Sequence, residues 1–195
     1  MSGITPSQTV GPYFAFALTP TDYDWNVAIS NNLVTLDASG ERIRIVGRVL
    51  DGDGAPVGDS MLEIWQADAA GRYAHPADQR APPNAAFKGF GRVGTDREGR
   101  FCFETIKPGA VPGPGGALQA PHIAVVVFSR GMLTHVFTRI YFADEPANAA
   151  DPILAMVPAD RRPTLIARRE NGGPHPTWLF DVRLQGDGET VFFAL

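Results

Sequence analysis

What most constrains this chain is a series of short apolar runs with a period of two, each closed by glycine, proline or aspartate. "IRIVGRVL" at 43–50 sets Ile43, Ile45, Gly47 and Val49 against Arg44, Val46, Arg48 and Leu50. Successive side chains of an extended chain point to opposite faces, so this run is a half-buried strand. "SMLEIWQAD" at 60–68, "GFGRVGT" at 89–95, "GRFCFETI" at 99–106, "HIAVVVFSR" at 122–130 and "THVFTRIYFA" at 134–143 read the same way. "TWLFDVRLQG" at 177–186 and "ETVFFAL" at 189–195 close the chain as two more strands. "DGDGAPVGD" at 51–59 is a turn, and "DREG" at 96–99 is a tight hairpin connection. Strands with a turn every ten or so residues predict an all-β fold, a β-sandwich of mixed and antiparallel sheets. "IKPGAVPGPGGALQAP" at 106–121 reads as one long loop. "PADRRPTLIARRE" at 158–170 is the helix candidate, kept short by Pro163.

Residues 1–42 carry little periodicity and read as an N-terminal arm with loops, leaving 43–195 as the sandwich domain. With 195 residues, 44% of them hydrophobic, the chain can bury one substantial core. The net charge is −4 and no basic face is coherent, which argues against nucleic-acid binding. The longest apolar run, "IAVVVF", is far too short to span a membrane, and "MSGITPSQTV" lacks the charged and apolar regions of a signal peptide. The single cysteine, Cys102, cannot form an internal disulfide, so a soluble cytoplasmic protein is expected. Cys102 lies in "RFCFET" and is expected as a packed core thiol. Asp51, Asp53, Asp181 and Asp187 all fall in turns and offer no paired-carboxylate catalysis. "DGDGAPVGD" lacks the closing glutamate of a calcium-binding EF-hand loop.

One stretch looks like half of a chemical device. In "QAPHIAVVVFSRG" at 119–131, His122 stands at the start of a strand. Residues i and i+2 of a strand share a face, roughly 6–7 Å apart, so His-x-His could hold a metal between two imidazoles. Here the second position is Ala124. Taken alone, His122 is a half-buried structural histidine, Tyr73 a turn tyrosine and Arg130 a surface arginine.

Four segments together carry a resemblance: "TPSQTVGPYF" at 5–14, "LEIWQADAAGRY" at 62–73, "GRVGTDREGRFCFETIKPG" at 91–109 and "APHIAVVVFSRG" at 120–131. With "RIYFADE" at 139–145 and "GDGETVFFAL" at 186–195, the sequence resembles the intradiol ring-cleavage dioxygenases over nearly its whole length. The catalytic chain of that family holds a non-haem Fe(III) with two tyrosinates and two imidazoles. Carried over residue by residue, Tyr73 matches the first tyrosine and His122 the first histidine. Val111 (or Ala110) stands where the second tyrosine would be, and Ala124 where the second histidine would be. Tyr141 and His135 lie too far along the sequence to be expected as replacements. A hard ferric ion wants anionic oxygen and imidazole, so this chain is expected to bind no metal and no other cofactor.

The resemblance then implies an alpha-type subunit with no catalytic residue of its own, completing the substrate pocket of an Fe(III)-bearing beta chain. The implied substrate-binding residues are Thr9, Gly11, Pro12 and Tyr13 of the arm, together with Arg130. A guanidinium grips a carboxylate bidentately, which suits protocatechuate, a catechol bearing a ring carboxylate. O₂ is the second substrate, and αβ units are expected to assemble further. Two other readings remain at this stage: a self-sufficient catechol-type dioxygenase, and a non-enzymatic β-sandwich binding module.

Overall fold

The computed structural model describes residues 18–19, 29–80, 87–170 and 175–194. In chain order the strands are β1 (Arg42–Leu50), β2 (Ser60–Gln66), β3 (Phe90–Gly94), β4 (Arg100–Ile106), β5 (Val111–Pro112), β6 (Leu118–Gln119), β7 (His122–Ser129), β8 (Val136–Phe142), β9 (Ile166–Glu170), β10 (Thr177–Leu179) and β11 (Val182–Arg183). A five-residue helix, α1 (Pro152–Met156), lies between β8 and β9.

These strands make the two leaves of a sandwich. In one leaf β4 runs antiparallel to β1, whose other edge pairs in parallel with β10 and then β11. In the other, β3, β2, β7 and β8 form an antiparallel meander of neighbours. β9 joins the leaves, parallel to β8 and antiparallel to β10. At the opposite edge, residues 30–33 bridge β3 and β4: Arg92 N–H donates to the Ser30 carbonyl at 3.1 Å and Leu33 N–H to the Glu104 carbonyl at 2.8 Å.

The period-two pattern is realised as expected. Ile43, Ile45 and Val49 of β1 meet Ile123, Val125 and Val127 of β7, with Phe103 and Trp178 filling the interior. One end of the outer face of β7 and β8 is also covered. There Ala120, Tyr141, Leu154, Val157 and Leu165 make a second apolar cluster under α1. That cover is what buries His122, a polar residue on the non-core side of its strand.

The structure departs from the sequence expectation at several places. The 158–170 segment is a 3₁₀ turn at Arg162–Leu165 followed directly by β9, and the helix lies earlier, at α1. Asp151 starts that helix by accepting from the Ile153 and Leu154 N–H groups, with Pro152 at its first position. The sequence pattern assigns nothing to this segment, because a helix of five residues is too short to show an apolar period. The 106–121 loop contains the small β5–β6 hairpin. "DREG" does turn tightly, with Gly99 N–H donating to the Asp96 carbonyl, but β3 and β4 then diverge into different leaves instead of pairing as a hairpin. The 177–186 run is broken at Phe180–Asp181 into β10 and β11, and the final run contributes a single bridge, Phe193 to Phe137. Cys102 is half-buried on the outer side of β4, beside Arg44, rather than in the core.

The β10–β11 break has a counterpart on β1. Phe180 N–H donates to the Val46 carbonyl, and its own carbonyl crosses directly over Gly47, where a Cβ would stand 1.7 Å away. Only glycine admits that approach. Gly47→Ala is therefore expected to destabilise the fold by about 2–3 kcal/mol, read as a lower midpoint in urea at unchanged m-value.

Candidate functional site

The covered end of the β7–β8 face holds His122 and Ala124, two of the positions that the resemblance matched to iron ligands. β7 and β8 are antiparallel, and their register sets His122 opposite Tyr141 and Ala124 opposite Arg139. On its other side Ala124 faces Trp65 of β2. Cross-strand partners share a face, so Trp65, Ala124 and Arg139 form one row and His122 and Tyr141 the next.

His122 is 5% exposed, its Nδ1 lies 2.7 Å from the Ala120 carbonyl, and its ring centroid is 5.7 Å from that of Tyr141. The Nδ1–H donates to that carbonyl, which leaves Nε2 as the lone-pair nitrogen. Asp151 fixes the approach to this strand. Its Oδ2 accepts the Ala120 N–H at 2.7 Å, while Oδ1 accepts from Ile153 N at 2.9 Å, Leu154 N at 2.7 Å and the Tyr141 hydroxyl at 3.2 Å.

Tyr73 reaches the same face from the turn after β2. The Asp68 carboxylate accepts the Ala70 and Arg72 N–H groups and closes that turn. Gly71, at φ 72°, lets the turn lie against the Ala110 carbonyl, where a Cβ would come within 1.9 Å. The Tyr73 ring stacks on Trp65 at 5.9 Å and 11°, and its N–H donates to Asp78, whose carboxyl is held well below the usual range by the Arg80 guanidinium. Next to Ala110, Val111 is buried and pairs with Gln119 across the β5–β6 hairpin. All four positions implied as ligands thus belong to segments that meet here: Tyr73 and Val111 through the Gly71–Ala110 contact, Tyr73 and Ala124 through Trp65, and His122 on the same strand as Ala124.

Sequence reasoning missed Arg139. Its Nη1 donates to Gln119 Oε1 at 2.7 Å and lies 3.5 Å from the Tyr141 hydroxyl, and its charge acts on Tyr73, His122 and Tyr141 alike. Tyr141 was also misjudged. Nineteen positions separate it from His122 in the sequence, yet the antiparallel pairing makes it that histidine's direct neighbour. His135 does lie away, between Phe128 and Phe137 near the other end of these strands.

Electrostatics at the site are dominated by burial. Desolvation pushes the Tyr141 phenol up to about 12 against the pull of Arg139, and raises the Tyr73 phenol as well. Desolvation, helped by the nearby Arg139 charge, lowers His122 to about 4. The imidazole is therefore neutral at pH 7. Between its unfolded value near 6.5 and its folded value near 4, the unfolded state binds the proton and the native state does not. Stability is then full above pH 6.5 and falls as pH drops toward 4, by a few kcal/mol for this one group. Melting temperatures from pH 7 to 4 are expected to show this loss in the native chain, and a smaller loss in His122→Gln.

A ferric ion does not fit this donor set. Val111 and Ala124 offer only carbon, and a guanidinium stands in the same row as Ala124.

Arg130 is elsewhere. It follows the last residue of β7, eight positions from His122 and so roughly 25 Å along the strand. It is 82% exposed and paired with Asp59, Nε to Oδ2 at 2.6 Å. Thr9, Gly11, Pro12 and Tyr13 lie outside the described residues. Among the described residues, no helix is long and apolar enough to cross a membrane.

Comparison with known proteins agrees with this geometry. A family model described as Dioxygenase matches residues 9–186. The chain is 50% identical over 195 residues to the protocatechuate 3,4-dioxygenase alpha chain of Burkholderia cepacia, covering 97% of this chain and 96% of that one. It is 40% identical over 185 residues to the beta chain from the same organism, covering 91% of this chain and 77% of that one. Among solved structures, the dioxygenase domain of a dioxygenase carbohydrate-binding protein fusion from Streptomyces sp. SirexAA-E superposes with a TM-score of 0.62 at 25% identity, over 93% of this chain and 99% of that one.

Proposed function

The chain belongs to the intradiol ring-cleavage dioxygenase family, and from that premise we propose that it is the non-iron-binding alpha subunit of a protocatechuate 3,4-dioxygenase. The observation that carries this reading is the donor inventory. The segments that carry the positions matching the family's iron ligands lie close together, and two of those positions, Val111 and Ala124, hold residues that cannot coordinate. The higher identity to an alpha chain than to the corresponding beta chain supports the same assignment.

Catalysis then belongs to the Fe(III) of a beta partner, which supplies the activation of the catecholate toward O₂. The reaction is cleavage of 3,4-dihydroxybenzoate between its two hydroxyl-bearing carbons, giving 3-carboxy-cis,cis-muconate. This chain contributes to the walls of the substrate pocket. Its arm, Thr9, Gly11, Pro12 and Tyr13, and Arg130 are the residues assigned to that role. The location of Arg130 supports a pocket shared between chains, because it lies at the far end of β7 from this chain's own degenerate site. Further assembly of αβ units and a cytoplasmic setting belong to the same reading.

Oxygen uptake with 3,4-dihydroxybenzoate tests it. Activity is expected only when this chain and the beta chain are present together. Sustained uptake by this chain alone would instead make it a self-sufficient dioxygenase. No gain on adding it to the beta chain would leave it a binding module.

A further inference from the structure

The degenerate face has lost two metal ligands, yet it has not simply become apolar, because a fixed positive charge stands on it. We propose that Arg139 takes the place of a metal ion in this chain, tethering the loops that coordination would otherwise hold, and that its charge keeps metal cations out of the face even when ligands are supplied.

Three observations carry this. The first is register. Arg139 is the direct cross-strand partner of Ala124, so its side chain stands on the same face as position 124. The second is bonding. Through Nη1, Arg139 ties Gln119 of the β5–β6 hairpin, next to the loop that leads into His122, to the Tyr141 hydroxyl, while Tyr141 in turn is held by Asp151. Gln119 is the cross-strand partner of Val111, so this bond holds the hairpin that a ligand at position 111 would hold. The third is composition. Of the carboxylates near this cluster, Asp78 is paired with Arg80, and Asp151 spends three of its four hydrogen bonds on backbone N–H groups. It balances the guanidinium but leaves no excess negative charge to attract a second cation. The guanidinium keeps its proton at any working pH, so the charge on this face is fixed.

The inference rests on reading this face as a degenerate iron site. It does not depend on the beta partner, so it can fail separately from the proposed subunit role. The test uses the full-length chain expressed alone in iron-supplemented medium, with iron measured per chain and the visible tyrosinate-to-iron absorption recorded. The double variant Val111→Tyr/Ala124→His restores the missing donors but is expected to remain iron-free and colourless. Adding Arg139→Gln, neutral and able to hydrogen-bond, is expected to bring iron and colour. Adding Arg139→Lys instead, which keeps the charge, is expected to leave the chain iron-free. Stoichiometric iron in the double variant, equal loading of the Gln and Lys triples, or a folded Gln triple that stays iron-free would each overturn the proposal. Should the triples fail to fold, the single change Arg139→Gln alters no ligand position and gives a second readout. A Co(II) titration of that variant, followed by absorption, is expected to show binding about tenfold tighter than to the native chain. Equal Co(II) affinity would overturn the proposal.

Discussion

Asp151→Ala is expected to be among the most damaging single substitutions in this chain, lowering stability by about 3–5 kcal/mol. For a chain of 195 residues that corresponds to a fall in Tm of roughly 10 °C. The carboxylate is 1% exposed and accepts four hydrogen bonds, from Ala120, Ile153, Leu154 and the Tyr141 hydroxyl. Alanine leaves the Ala120, Leu154 and Tyr141 donors buried without this acceptor and the Ile153 N–H partly so, and the lost solvation of the buried donors is the larger part of the penalty. Asp151→Asn should be milder. Its Oδ1 can still serve α1 and Tyr141, but an amide NH₂ would then face the Ala120 N–H. The readout is calorimetric melting of both variants, with the order native, Asn, Ala. A Tm for Asp151→Ala within 2 °C or so of the native value would mean that the knot between α1 and the start of β7 contributes little.

Arg130→Ala is expected to leave stability and the partner's iron spectrum nearly unchanged, but to raise KM for 3,4-dihydroxybenzoate in the αβ complex by roughly 30- to 1000-fold. That range corresponds to the 2–4 kcal/mol of a desolvated, charge-assisted contact. The residue is exposed, and among the described residues it pairs with Asp59 on the surface, so its truncation costs little stability. The same substitution should barely affect turnover of a catechol that lacks the ring carboxylate, because that substrate never used the guanidinium. Steady-state kinetics on both substrates decide the matter. An unchanged KM for the carboxylated substrate would remove Arg130 from the pocket.

Much of this was legible in the sequence because strands declare themselves by alternation. The β1 run 43–50 and the β7 run 122–129 put Ile43, Ile45, Ile123 and Val125 in the core as their spacing demanded. What stayed hidden was everything that depends on pairing between distant segments. Tyr141 and Arg139 are remote from His122 and Ala124 along the chain, and only the antiparallel register of β7 and β8 makes them neighbours. Asp151 went unremarked because nothing local shows that its carboxylate will be buried against the Ala120 N–H, thirty-one positions upstream. α1 escaped notice because five residues cannot display a helical period, and the "RRPTLIARRE" segment misled by combining helix-favouring residues with a strand's destination. That Val111 and Ala124 carry no donor atom is, by contrast, plain from the residues, and the resemblance is what marks those positions as ligand positions. It is a matter of which side chains carry donor atoms, and no fold can supply a donor that the residue lacks.

The most direct measurement is the iron content of the purified chain alone beside that of its complex with the beta chain. The account predicts colourless protein with negligible iron for the chain alone, and one iron for each αβ pair in the complex. Stoichiometric iron in the lone chain, with a visible tyrosinate charge-transfer band, would contradict it.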